Sequence, residues 1–103
     1  MSKVDRCVGV QVSDEEGYQR YRDAMMPLLL ECGGLFLLDV RVSEVLKAPQ
    51  DGRFNRLFII RFPDAETASG FFTTEAYVAI RDALFSPSVS SVTMISKSVV
   101  ASA

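Results

Sequence analysis

Six side chains in this 103-residue sequence have the chemistry to hold or transform a small polar molecule. Asp39 could accept a proton and Arg61 could stabilise a carboxylate or enolate, so these two are the catalytic candidates. Tyr21, Arg41, Tyr77 and Arg81 are the ligand-binding candidates, two hydroxyls and two guanidiniums able to orient an anionic or carbonyl oxygen. A simpler account uses the same residues: Asp39 with Arg41 or Arg61 as a structural ion pair, and the tyrosines as core aromatics whose hydroxyls reach solvent. Asp39→Asn separates the two accounts, because an enzyme loses turnover with its fold intact whereas a structural pair loses stability.

The composition removes other chemistries. There is no histidine, so the commonest general base and the usual metal and haem ligand are missing, and neither a metal nor a cofactor is expected. Cys7 and Cys32 are the only cysteines and form no C-x-x-C pair; they read as free thiols that behave as small apolar side chains. The 11 basic and 13 acidic residues are mixed along the chain, which leaves no basic stripe for a phosphate backbone, so nucleic acid is not an expected partner. No run approaches the roughly 18–20 apolar residues of a membrane span, and the N-terminus lacks an apolar signal stretch. A cytoplasmic protein without a membrane partner is the expectation.

The elements that must position the six candidates follow from periodicity. Val4, Val8, Val10 and Val12 alternate on one face of a first strand. Ser13 and Glu16 have capping-box spacing and open a helix whose apolar stripe is Tyr18, Tyr21, Met25, Leu28, Leu29 and Cys32. Pro27 predicts a kink or break near Asp23–Met26, and Gly33-Gly34 ends the helix. A second strand is predicted over Leu35 to Lys47, followed by a turn-rich connector at 48–53. A third strand runs from Phe54 to Phe62, with Phe54, Phe58, Ile60 and Phe62 on one face. Asp64 caps a second helix, which Thr73-Thr74-Glu75 interrupts and restarts with Tyr77, Ile80 and Leu84 on one side. Ser86-Pro87-Ser88 stops it, and Val89 to Val100 reads as a last strand, with Val92 and Met94 alternating against Thr93, Ile95 and Lys97.

The order β-α-β-β-α-β predicts one α+β domain over residues 1–103 of ferredoxin-like topology, a four-stranded antiparallel sheet with its helices on one face. That topology aims the six candidates toward the space between sheet and helices. Both faces of the first three strands carry bulky apolar residues, and 49% of the chain is hydrophobic. A monomer would leave an apolar face larger than soluble domains tolerate, so two sheets are expected to pair as a homodimer, a dimeric α/β barrel. The expected function is binding of a small, mostly apolar organic molecule, with cofactor-independent chemistry. The alternative is a non-catalytic homodimeric binding or interaction module.

Tyr18-x-x-Tyr21-Arg22, Pro27-Leu28-Leu29 with Gly33-Gly34, Phe58-Ile59-Ile60-Arg61-Phe62-Pro63 with Ala65 and Ala68, and Phe71-Phe72-x-x-Glu75-Ala76-Tyr77-x-x-Ile80-Arg81 follow one another in order. This succession resembles the domain of unknown function 1330 family, of the dimeric α/β-barrel superfamily. The resemblance implies fold and dimer rather than an activity. At Asp39-Val40-Arg41 the chain departs from the family pattern, which has a basic residue near the place of Asp39 and glycines close behind. Arg41 is the residue left to take over an anionic-ligand role from that position.

Overall fold

The alternating valines of β1 (Val4–Val12) put this strand inside the sheet rather than at its edge. In the computed structural model, which describes residues 2–100, β2 (Leu35–Arg41), β3 (Arg56–Phe62) and β4 (Val89–Val99) join it in the order β2-β3-β1-β4. All three pairings are antiparallel. The helices α1 (Glu15–Glu31), α2 (Ala65–Phe71) and α3 (Glu75–Ile80), with a wide π-type turn at Arg81–Phe85, supply the second layer. This is the ferredoxin-like α+β arrangement. Val8, Val10, Val12, Phe58, Ile60 and Phe62 from the sheet meet Tyr18, Tyr21, Met25, Leu29, Ala68, Phe71 and Tyr77 from the helices in one core.

Local chemistry sets the boundaries, and some differ from the sequence expectation. The N-cap of α1 is Asp14, whose carboxylate accepts from the Gly17 amide at 3.0 Å. Ser13 instead donates to the Ser88 carbonyl and ties the start of α1 to the chain entering β4. The helix continues through Pro27 without a break. Beyond Cys32, Gly33 takes a φ of 86°, where an L side chain is disfavoured, and the Gly34 amide returns to the Leu29 carbonyl. The predicted cap Asp64 accepts from the Thr67 amide, and Thr74 caps the restarted helix by accepting from the Tyr77 amide, so the second helix is split as the interruption at Thr73-Thr74-Glu75 foretold.

The second strand stops at Arg41, short of the predicted Lys47, and the third starts at Arg56, later than Phe54. Asn55 explains the late start: its side chain accepts from the Val12 amide at 2.8 Å and donates to the Val12 carbonyl at 2.9 Å, taking the place of a backbone pair. Phe54 therefore leaves the register of Phe58, Ile60 and Phe62. Its ring lies against Gly9, on the face of β1 turned away from the helices. In β4, Met94 pairs with Val8 and Ser96 with Cys7, so Ile95 is bulged out. The bulge reverses the predicted phase and puts Lys97 opposite Arg6, on the side of Val92 and Met94 rather than that of Thr93.

A Cβ on Gly9 would sit 2.5 Å from two atoms of the Phe54 ring. Gly9→Ala is expected to cost about 1–3 kcal/mol, the range for an overpacked contact, measured by urea denaturation. Combining it with Phe54→Ala should make the two losses markedly non-additive; simple additivity would mean that the ring does not hold this place.

Candidate functional site

Between the sheet and the helices lies a chamber of about 220 Å³. β1 contributes Arg6 and Val8, β3 Phe58 and Ile60, β4 Val92 and Met94; α1 contributes Tyr21, α3 Tyr77 and the π-type turn Phe85, with Phe72 from the link between α2 and α3. Val92 and Met94 are 53% and 39% exposed and form its mouth on the edge strand. A wider, more open groove of about 430 Å³ runs between the helices past Leu28, Cys32, Thr67 and Phe71. The chamber is the better site because buried polar groups converge on it.

Those groups are the Tyr21 and Tyr77 hydroxyls, buried and 2.8 Å apart. Each ring is wedged in aromatics: Tyr21 is 4.9 Å from Phe85, Tyr77 5.1 Å from Phe71 and 5.2 Å from Phe72, centroid to centroid. Burial pushes the ionisation of both up from the ordinary tyrosine value; the neighbouring hydroxyl adds to the rise at Tyr21, and the Tyr21 hydrogen bond and the charge of Arg81 oppose it at Tyr77. At neutral pH both are therefore phenols. Two hydroxyls carry two protons and share one bond, and among the described residues neither has another hydrogen-bond partner. One O–H is left to donate into the chamber.

The other four candidates lie elsewhere. Asp39 sits on the helix side of β2 between Arg22, at 2.9 Å, and Arg56, at 3.3 Å. Burial raises its carboxyl, but the hydrogen bonds and charges of the two arginines outweigh that and hold it below the usual value. Arg61 lies on the opposite face of the sheet, because the parity that turns Phe58, Ile60 and Phe62 toward the helices turns Arg61 away. It grips Asp5 with two bonds of 2.8 and 3.0 Å. Arg41 is exposed at the end of β2, opposite Arg56, and Arg81 bonds its neighbour Asp82 at 3.0 Å. The structure thus unites Tyr21 and Tyr77 and places each of the other four candidates elsewhere.

Two residues that sequence reasoning passed over matter here. Arg22 is only 8% exposed, with its guanidinium carbon 3.7 Å from the centre of the Phe36 ring and two of its nitrogens buried without partners. Arg6 lines the chamber with its guanidinium carbon 5.3 Å from the centre of the Phe72 ring. Its signal was present: it occupies the alternate position between Val4 and Val8. Burial raises the ionisation of the Cys7 thiol, which argues against a thiolate there. Among the described residues no cluster of three His, Cys, Asp or Glu is placed to hold a metal ion, and no helix is long and apolar enough to cross a membrane.

Fold and chamber together define a ferredoxin-like protein with a small, mostly apolar space between its layers. The profile of the domain of unknown function DUF1330 matches residues 7–97, and the chain belongs to that family. No curated protein matches the sequence. The fold is similar to that of a methylated protein of unknown function from Rhodopseudomonas palustris, with a TM-score of 0.76 and 15% identity over 98% of this chain and 82% of that one. It is also similar to a DABB family protein with a ferredoxin-like fold from Mesorhizobium loti, with a TM-score of 0.69 and 18% identity over 99% and 100% of the two chains. A protein of unknown function from Bacteroides fragilis, described as dimeric, aligns with a TM-score of 0.64 and 11% identity over 95% and 96%.

Asp39→Asn is expected to destabilise the fold by about 2–3 kcal/mol, because Arg22 loses its charged partner while remaining buried. The Asp39 carboxyl, lowered when folded, stabilises the protein above its unfolded value near 4. That contribution disappears as pH falls through the lowered value, so stability measured by denaturation from pH 5 to 2 should fall less steeply in the variant than in the wild type. Parallel curves would contradict this role.

Proposed function

We propose that this protein binds a small, mostly apolar organic molecule in the chamber and needs no cofactor to do so. The observation that carries this reading is the spare hydroxyl proton of the Tyr21–Tyr77 pair, buried beside an apolar space that an outside oxygen can enter. A buried donor without an acceptor is costly, and a carbonyl or hydroxyl oxygen of a ligand would satisfy it. The same donor would stabilise negative charge growing on that oxygen, so any catalysis here works by hydrogen-bond donation rather than by proton abstraction by a carboxylate. Asp39 and Arg61, already ion-paired away from the chamber, act in this reading as braces for the sheet.

The homodimer belongs to the same proposal. Leu35, Leu38 and Val40 of β2 are exposed on the face without helices, beside half-buried Leu57 and Ile59 of β3. Pairing this face with a second copy buries it and leaves each chamber open at β4.

Two experiments test these statements. Titration with acetophenone, a neutral aromatic ketone, should shift NMR signals of Tyr77, Phe85 and Met94 saturably, and Met94→Trp, which fills the mouth, should abolish the effect without unfolding the protein. Absence of saturable shifts, or unchanged binding in Met94→Trp, would sink the chamber as a ligand site. For the dimer, light scattering at micromolar concentration should give twice the chain mass, and Ile59→Lys should give the monomer mass. A monomeric wild type would refute the pairing.

A further inference from the structure

The chamber contains a positive charge that no anion among the described residues answers. Arg22 is paired with Asp39, Arg56 with Asp39 and Glu15, Arg61 with Asp5, and Arg81 with Asp82. Arg6 has no carboxylate within ion-pair distance among the described residues. The nearest acid in sequence, Asp5, points to the other face of the sheet and is already held by Arg61. The cross-strand neighbour of Arg6 on β4 is Lys97, brought to its side by the bulge at Ile95. Like charges set opposite each other weaken a strand pair.

Arg6 is also held where a ligand can reach it. Its guanidinium lies near the Phe72 ring, at 5.3 Å, and Arg6 lines both the chamber and an adjoining cavity of about 190 Å³ that Asp5, Ala65, Ala68 and Lys97 also line. The chamber wall contains no carboxylate: apart from Arg6 and the two tyrosines, its lining is aliphatic, aromatic and thioether. A site with a cation, a spare phenolic donor and an apolar body is matched to a ligand with a negative oxygen on an apolar frame.

We propose that the molecule bound in the chamber is a small apolar monocarboxylate. Arg6 is its counter-ion, and Lys97 beside it adds positive potential and is relieved of like-charge repulsion when the anion binds. The apolar part of the molecule packs on Phe58, Phe85 and Met94, and the tyrosine pair donates to an oxygen. This inference rests on the reading of the chamber as a ligand site.

The test compares benzoate with its neutral isostere benzamide by calorimetric or NMR titration of the full chain. The comparison is made in the wild type, in Arg6→Gln, and in Arg20→Gln, which removes an exposed positive charge from α1. Benzoate is expected to bind the wild type and Arg20→Gln more tightly than benzamide by about tenfold or more, the worth of one charge-assisted hydrogen bond. In Arg6→Gln that preference should vanish while benzamide binds as before, which also shows that the variant is folded. Equal binding of the two compounds by the wild type, or a preference that survives in Arg6→Gln, would overturn the carboxylate and leave the chamber standing. Failure of both compounds to bind the wild type would overturn the carboxylate and the chamber together.

Discussion

The hydrogen bond between the Tyr21 and Tyr77 hydroxyls joins α1 to α3 inside the protein, and the shape of the chamber depends on it. Phenolic oxygens at this depth must be paired, since each would otherwise carry the desolvation cost of a lost hydrogen bond. Tyr77 reaches Tyr21 only because the second helix stops at Phe71 and restarts at Glu75 under the Thr74 cap. The π-type turn after α3 then swings Phe85 onto the Tyr21 ring. A single straight helix would not set Tyr77 and Phe85 on two sides of the same tyrosine. The broken helix is thus what roofs the space over Val8, Phe58 and Ile60.

Charge is placed with equal economy. A sheet with apolar residues on both faces can carry an ionic group only where a partner shares its side. Asp5 and Arg61, directly opposite on β1 and β3, meet on the face away from the helices. Asp39 lies between Arg22 and Arg56 on the helix side of β2. Arg6 is the one arginine of the sheet interior outside this scheme, and it is the one that faces the chamber.

Much of this arrangement was legible from residue types alone. Alternation in β1, the glycine stop after α1, the Asp64 cap and the interruption at Thr73-Thr74 fix the element order and hence the topology. What escaped depends on single-residue events that break a period. The bulge at Ile95 reverses the side on which Lys97 falls, and Asn55, by imitating a strand pair, detaches Phe54 from the face it was assigned. Arg61 was aimed at the helices although its parity with Phe58, Ile60 and Phe62 already pointed it away. Tyr21 and Tyr77 were recognisable because each lies on the apolar stripe of its helix. Arg6 was missed because four valines on the same face made the segment read as core. Arg22 was overlooked because it stood on the polar side of the predicted helix, yet in the fold that side meets Phe36 of β2.

The dimer proposed for the open sheet face and the chamber on the other face are separate consequences of one property, a sheet apolar on both sides and covered by its own helices on only one. The chamber is the more specific of the two, and its existence as a ligand-sized apolar space is the central claim. A crystal structure of the protein under xenon pressure tests it most directly, since xenon enters dry apolar cavities without requiring a known ligand. Xenon density among Phe58, Phe85 and Met94, with the tyrosine hydroxyls still bonded, is the predicted result. A chamber without xenon, closed by Phe72 or Phe85 turned inward, would contradict the account.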